Sequence, residues 1–104
     1  MSIPKPVKYR ITATVKKIRG KCGSGYKIGE KLVIEGGDWG ANINLKESDR
    51  ICVSGFMPLL LVNKAIMSGA KPESLGLYHF QCYDPGPPYT AGGTVLFEIK
   101  VKYL

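Results

Sequence analysis

The sequence predicts a small α+β domain in which a mostly antiparallel sheet of about four strands packs on one helix, residues 54–69. Long segments near both ends alternate apolar and polar residues with a period of two, which is typical of half-buried strands. Between them, only residues 52–69 show apolar residues at helical spacing. A chain of 104 residues is long enough for one hydrophobic core and too short for two.

The chain begins with a lead-in and continues as one predicted domain. Residues 1–6 contain two prolines and no periodic pattern, so a flexible lead-in is expected, followed by a single domain over residues 7–104. The first strand is predicted at residues 7–18 and is broken by the glycines at 20, 23 and 25. A second strand is predicted at residues 31–35, and residues 38–44, which contain the only Trp, fit either a loop or a short strand.

The predicted helix follows, and two further strands come after it. Proline is tolerated in the first turn of a helix, so Pro58 indicates a start with Ser54 as the N-cap. Gly69 suits the positive φ at a helix end, and Pro72 prevents the helix from resuming. Residues 77–83 and 95–103 are predicted strands, with a rigid proline turn at residues 84–88. The helix is expected to be well buried because its apolar residues cover more than one face: Phe56, Leu59, Leu60, Val62, Ala65, Ile66 and Met67.

The chain is basic, with 15 Lys and Arg against 8 Asp and Glu and a net charge of +7, which favours anionic partners. If the first and last strands are neighbours, their outward-facing cations form one stripe: Lys8, Arg10, Lys16, Lys100 and Lys102. The stripe is either a nucleic-acid-binding surface or an ordinary solvated face. Tyr9, Phe97 and Tyr103 fall on the opposite, buried face, so the stripe lacks aromatic rings on which bases would stack.

Location and redox state are also predicted. No apolar run approaches the roughly 18 residues that a membrane span needs, and the N-terminus lacks the apolar run of a signal peptide, so a cytoplasmic protein is expected. Three cysteines cannot form a complete set of intrachain disulfides, and reduced thiols are the simpler expectation, with one disulfide plus one free thiol as the alternative. Apolar strands that end at exposed sheet edges would favour a homo-oligomer.

Cys22, Cys52 and Cys82 each lie where a predicted element ends, and such ends can meet at one rim of a sheet. Three thiolates, alone or with the imidazole of His79, would form a soft metal site for zinc or an iron–sulfur cluster. However, the chain has no Cys-x-x-Cys pair, and the strand period places His79 and Cys82 on opposite faces. Ordinary buried thiols are the alternative.

Cys52 has a further role to consider, because the N-terminus of a helix favours a thiolate. A thiol-redox centre and a small thiol enzyme both fit this position, with Arg50 assisting. Against catalysis, Ile51 and Val53 are predicted core residues, and no histidine lies nearby in sequence to act as a base. Cys22 and Cys52 also begin two matching segments of pattern Cys-x-Ser-Gly-aromatic, a repeat to which the sequence alone gives no meaning.

The chain resembles a family of small bacterial and archaeal proteins that has no assigned activity. The resemblance is carried by residues 22–34, by the helix start at Cys52 and by the segment Cys82-Tyr83-Asp84-Pro85. Its members have a first Cys before a Gly-His-Lys-x-Gly-Asp/Glu run, a second before a helix, and a third in Cys-x-Asp-Pro. Tyr26 stands where the family tends to have histidine. The resemblance implies three shared cysteines, and together with the residues it predicts an accessory module that binds soft metal or performs thiol redox chemistry.

Overall fold

The computed structural model describes residues 6–71, 73, 78–82, 88–90 and 92–104. Within these residues one helix and five strands are present, and all strand pairs are antiparallel in the order β3-β2-β1-β5-β4. The α+β prediction is confirmed, with one strand more than expected. The elements, in chain order, are β1 (Tyr9–Arg19), β2 (Lys31–Gly37), β3 (Gly40–Ile43), α1 (Val53–Met67), β4 (His79–Gln81) and β5 (Thr94–Tyr103).

The first and last strands lie side by side at the centre of the sheet. In β1 and β5, Tyr9 is opposite Tyr103 and Arg10 is opposite Lys102. The register shifts between Val15 and Lys17, as it does at a β-bulge, so Lys17 is opposite Leu96. The outward-facing cations of the two strands therefore share one face of the sheet.

The additional strand comes from a tight hairpin between β2 and β3. Its two connecting residues, Asp38 and Trp39, both have positive φ, at 52° and 67°. A two-residue hairpin of this kind needs positive φ at both positions and usually contains glycine or asparagine there. Because Trp39 is an unusual residue for this conformation, the sequence does not predict the turn.

The helix begins earlier than predicted. Its N-cap is Cys52 and not Ser54, and the Cys52 side chain makes no capping hydrogen bond to the helix backbone. Pro58 lies inside the helix, where it lacks the N–H that would bond to the Ser54 carbonyl. The C-terminal prediction fits better, because Gly69 has a φ of 98° and its N–H donates to the Ile66 carbonyl.

The helix buries one side only, so the expectation of a well-buried helix is wrong. The inward residues follow a regular helical spacing, whereas Leu60 is 45% and Leu61 is 69% exposed. The physical reason is that α1 meets a single face of the sheet, and no other described segment covers its outer side. The buried residues of the helix are Gly55, Leu59, Val62 and Ile66.

The core lies between α1 and the inward-facing side chains of the sheet. Phe97 is at its centre, where its ring stacks on Phe80 with centroids 5.0 Å apart and meets Tyr26 edge-on at 5.5 Å. The opposite face of the sheet has no helix on it among the residues that the structure describes. On that face Val33 is buried, and Ser48 from the segment after β3 accepts its N–H at 2.9 Å.

Several predicted features fall outside the described part of the chain. They are the lead-in before residue 6, Pro72, most of the proline turn at 84–88, and the ends of the predicted strand 77–83. Among the residues that are described, no helix is both long enough and apolar enough to cross a membrane.

Candidate functional site: a pocket lined by three cysteines

The three cysteines line one pocket of about 100 Å³ at an end of the sheet. Cys22 comes from the segment after β1, Cys52 from the N-cap of α1, and Cys82 from the residue after β4. The pocket brings these thiols together with Ser24, Tyr26, Ser54 and the edge of the Phe97 ring. Elements distant in sequence therefore place all three predicted site residues around one opening.

The two Cys-x-Ser-Gly-aromatic segments meet at this pocket. The Ser24 hydroxyl of the first segment donates a hydrogen bond to the Cys52 sulfur of the second, at 2.9 Å. In the second segment, Gly55 lies against Phe97, and a Cβ there would be only 3.1 Å from the ring. The sequence alone gave this repeat no meaning, because the contact between the two segments joins residues 28 positions apart.

Cys52 is the thiol that lies at a helix N-terminus. It is half-buried at the helix N-terminus, where backbone N–H groups lack helical partners and favour a negative charge. The first turn contains no acidic side chain that would oppose a thiolate. Ile51 and Val53 are exposed and not core residues as predicted. Val53 is two positions before the inward-facing Gly55, which places it on the outer side of α1.

Cys82 is held differently, because it is buried and engaged by the backbone. Its sulfur accepts the N–H of Val95 at 3.4 Å and lies 3.9 Å from the carbonyl oxygen of Gly93. Its own N–H donates to the Val95 carbonyl at 3.0 Å. A thiol bonded to β5 in this way behaves as part of the core.

A three-cysteine metal site does not fit this arrangement. Among the described residues, no group of three or more His, Cys, Asp or Glu side chains is placed to hold a metal ion. The Cys82 sulfur already interacts with backbone groups. His79, the candidate fourth ligand, lies on the other face of the sheet, with its Nε2 4.0 Å from Glu98. Within the described part of the chain, the donor set for zinc or an iron–sulfur cluster is therefore not assembled.

A hydrogen bond and an ion pair, made by Tyr26 and Arg50, connect the segment that contains Cys22 to the start of the helix. The Tyr26 hydroxyl donates to the Arg50 carbonyl at 2.8 Å, and the Arg50 Nε lies 3.1 Å from a Glu30 oxygen. Burial raises the pKa of the Tyr26 phenol to about 12, and charges on Cys52, Cys22 and Glu30 act in the same direction. The phenol is therefore a neutral donor at physiological pH and cannot act there as a base.

The raised pKa of Tyr26 predicts a loss of stability in alkali. Between about pH 10 and pH 12 the unfolded chain releases the phenolic proton and the folded chain retains it, so the free energy of unfolding falls as pH rises. From about pH 9 to pH 11 we expect wild type to lose roughly 1 kcal/mol more than Tyr26→Phe. Urea unfolding at the two pH values measures this difference.

The matched control is Tyr89→Phe, because Tyr89 is 80% exposed and its ring meets water in both the folded and the unfolded state. We expect this variant to show the same alkaline loss as wild type. An equal loss for Tyr26→Phe and wild type would contradict the assignment of this effect to Tyr26.

Comparison of the chain with protein-family models, with curated proteins and with solved structures finds no match in any of the three. The three-cysteine family resemblance therefore remains a prediction. The candidate site depends on the geometry of this chain alone.

The predicted basic stripe is a second place where charged residues come together. Because β1 and β5 are neighbours, its residues share the face of the sheet opposite α1. Glu98 lies 3.6 Å from Lys16 and 3.8 Å from Lys100, and Glu35 lies 3.3 Å from Arg10. Part of the stripe is thus neutralised by neighbouring carboxylates.

Proposed function

We propose that this protein is a small cytoplasmic thiol-redox module that acts through Cys52 and Cys22. The observation that carries the proposal is the pocket at the helix N-terminus, where a half-buried Cys52 receives a hydrogen bond from Ser24 and Cys22 lines the same opening. Cys82 supports the wall of the pocket. A reducing cytoplasm would keep the thiols ready to react.

The proposed chemistry is thiol–disulfide exchange. The Cys52 thiolate attacks one sulfur of a small disulfide such as oxidised glutathione, forming a mixed disulfide and releasing one thiol. The Cys22 thiolate then attacks the Cys52 sulfur, which forms an intramolecular disulfide and releases the second thiol. The protein loses two electrons and two protons, and the small disulfide gains both.

The same surroundings argue against hydrolytic thiol catalysis. A catalytic cysteine usually has a histidine within hydrogen-bond reach to act as its base. The only histidine of this chain, His79, lies beside Glu98 on the outer face of the sheet. The Tyr26 phenol is too weakly acidic to replace it at neutral pH. Exchange between sulfurs needs no such base once the thiolate is formed.

We expect alkylation of the native protein at mildly acidic pH to modify Cys52 first, Cys22 more slowly and Cys82 last. Ser24→Ala removes the hydroxyl that donates to the Cys52 sulfur and should slow alkylation of Cys52 severalfold. Peptide mapping by mass spectrometry at several times gives the three rates. Ser68→Ala is the matched control, because Ser68 is exposed at the far end of the helix.

Oxidation gives the second part of this test. Incubation with oxidised glutathione should produce one Cys22–Cys52 disulfide and leave Cys82 reduced, while Cys22→Ser should stop at a mixed disulfide on Cys52. Equal alkylation rates for all three cysteines in the folded protein would contradict the proposal. So would a stoichiometric zinc or iron content that protects the thiols in protein purified without a histidine tag.

A further inference from the structure

We propose that the face of the sheet opposite α1 binds the phosphate backbone of double-stranded nucleic acid, independently of base sequence. We call this surface the basic sheet face and define it by the outward cations of β1 and β5 and of the residue before β1. They are Lys8, Arg10, Lys16, Lys17, Arg19, Lys100 and Lys102. This inference is independent of the thiol chemistry, since the cysteine pocket lies between the sheet and α1.

The basic sheet face has more positive than negative charge. Glu35 pairs with Arg10, and the single carboxylate of Glu98 is shared between Lys16 and Lys100. Among the described residues, no carboxylate lies within ion-pair distance of the other cations of this face, which are Lys8, Lys17, Arg19 and Lys102. An excess of positive charge on one open face attracts a polyanion and is complementary to a phosphate backbone.

Beyond the bulge, the basic sheet face has a groove. Lys17 and Arg19 line a groove of about 150 Å³ together with Gln81 and Thr94. Thr94 is opposite Arg19, and Gln81 is opposite Leu96, so the groove crosses β1, β5 and β4. Lys17 and Arg19, beside the exposed Gln81 side chain, provide N–H groups that donate hydrogen bonds to phosphate oxygens.

The side chains between the cations favour a double-stranded over a single-stranded ligand. Proteins that bind single strands combine cations with exposed aromatic rings on which bases stack. The outward residues of β1 and β5 include threonine, leucine, glutamate and cations but no aromatic ring. Tyr9 and Phe97 are buried on the other side, where Tyr103 is 49% exposed at the end of β5. An aromatic side chain beside these strands on the outer face is the His79 imidazole of β4, next to Glu98. Contacts limited to phosphates favour the duplex, in which phosphates of both strands are closely spaced.

Fluorescence anisotropy with labelled DNA of mixed sequence tests the proposal in the 104-residue chain. We expect the duplex to bind at least as tightly as a single strand of the same length, and its affinity to fall at least tenfold between about 50 mM and about 200 mM salt. The triple variant Lys17→Gln, Arg19→Gln, Lys102→Gln should weaken duplex binding and lower the salt slope by about 2 to 3.

The matched control removes the same charge elsewhere, with Lys27→Gln, Lys64→Gln and Lys71→Gln on the turn before β2, the helix and the segment after it. It should bind like wild type, and thermal melting should show both triple variants folded. Absent duplex binding at low salt would overturn the proposal. Equal weakening by both triple variants, or binding to vesicles of anionic lipid but not to DNA, would overturn it too.

Discussion

Phe97→Ala is expected to lower the free energy of unfolding by about 3 to 5 kcal/mol, the range typical of a fully buried aromatic side chain. The Phe97 ring is 1% exposed and contacts three separate elements. It stacks on Phe80 of β4, meets the edge of Tyr26 and lies against Gly55 of the helix. Its removal leaves a cavity between the sheet and the helix start that none of these neighbours can fill without moving.

The same substitution should also change the chemistry of the pocket, because Phe97 forms part of its wall. In folded Phe97→Ala, Cys82 should be alkylated faster than in wild type, because the Phe97 ring no longer shields the thiol from the reagent. Urea unfolding measures stability, and peptide mapping of alkylated protein at low urea measures access. Phe97→Leu is the milder control, which we expect to lose less stability and to keep Cys82 protected. A loss below about 1 kcal/mol for Phe97→Ala would contradict this account of the core.

The fold was predictable to the extent that side-chain periodicity reports burial. β1 and β5 alternate so regularly that their existence and inward faces followed from the sequence. β3 did not follow, because its turn uses Asp38 and Trp39 where glycine or asparagine is usual. The prediction of the helix was correct, but the prediction that it is well buried was wrong. Periodicity cannot show that the helix packs on one layer only, which leaves Leu60 and Leu61 exposed.

The candidate site was predictable in its residues but not in their roles. Position at the ends of elements indicated that Cys22, Cys52 and Cys82 could meet, and they do line one pocket. Three contacts that separate their roles are long-range and invisible in sequence: the Ser24 hydroxyl on Cys52, and Val95 and Gly93 on Cys82. These contacts change the interpretation from three equivalent ligands to two accessible thiols and one structural thiol.

Gly36→Ala is expected to cost about 3 kcal/mol, although it adds a single methyl group to a strand. Gly36 is opposite Tyr9 in the β1–β2 ladder, and a Cβ at Gly36 would overlap the Tyr9 ring. The ring is fully buried and its hydroxyl donates to Asn63 of the helix at 2.6 Å. The ring must therefore leave its site, which breaks a bond between the sheet and the helix as well as the local packing.

Chemical denaturation of four variants separates this clash from a general intolerance of glycine replacement: Gly36→Ala, Gly23→Ala, Tyr9→Ala and the double variant Tyr9→Ala with Gly36→Ala. Gly23→Ala is the matched control and should change stability little, because no atom lies within 4 Å of a Cβ built there. Tyr9→Ala removes the ring, so adding Gly36→Ala to it should cost much less than adding Gly36→Ala to wild type, with a coupling of about 1 to 3 kcal/mol. Additive losses would contradict the contact. An aromatic ring that packs over a glycine of the neighbouring strand stabilises that strand. Here Gly36 provides the space that lets the Tyr9 hydroxyl reach Asn63.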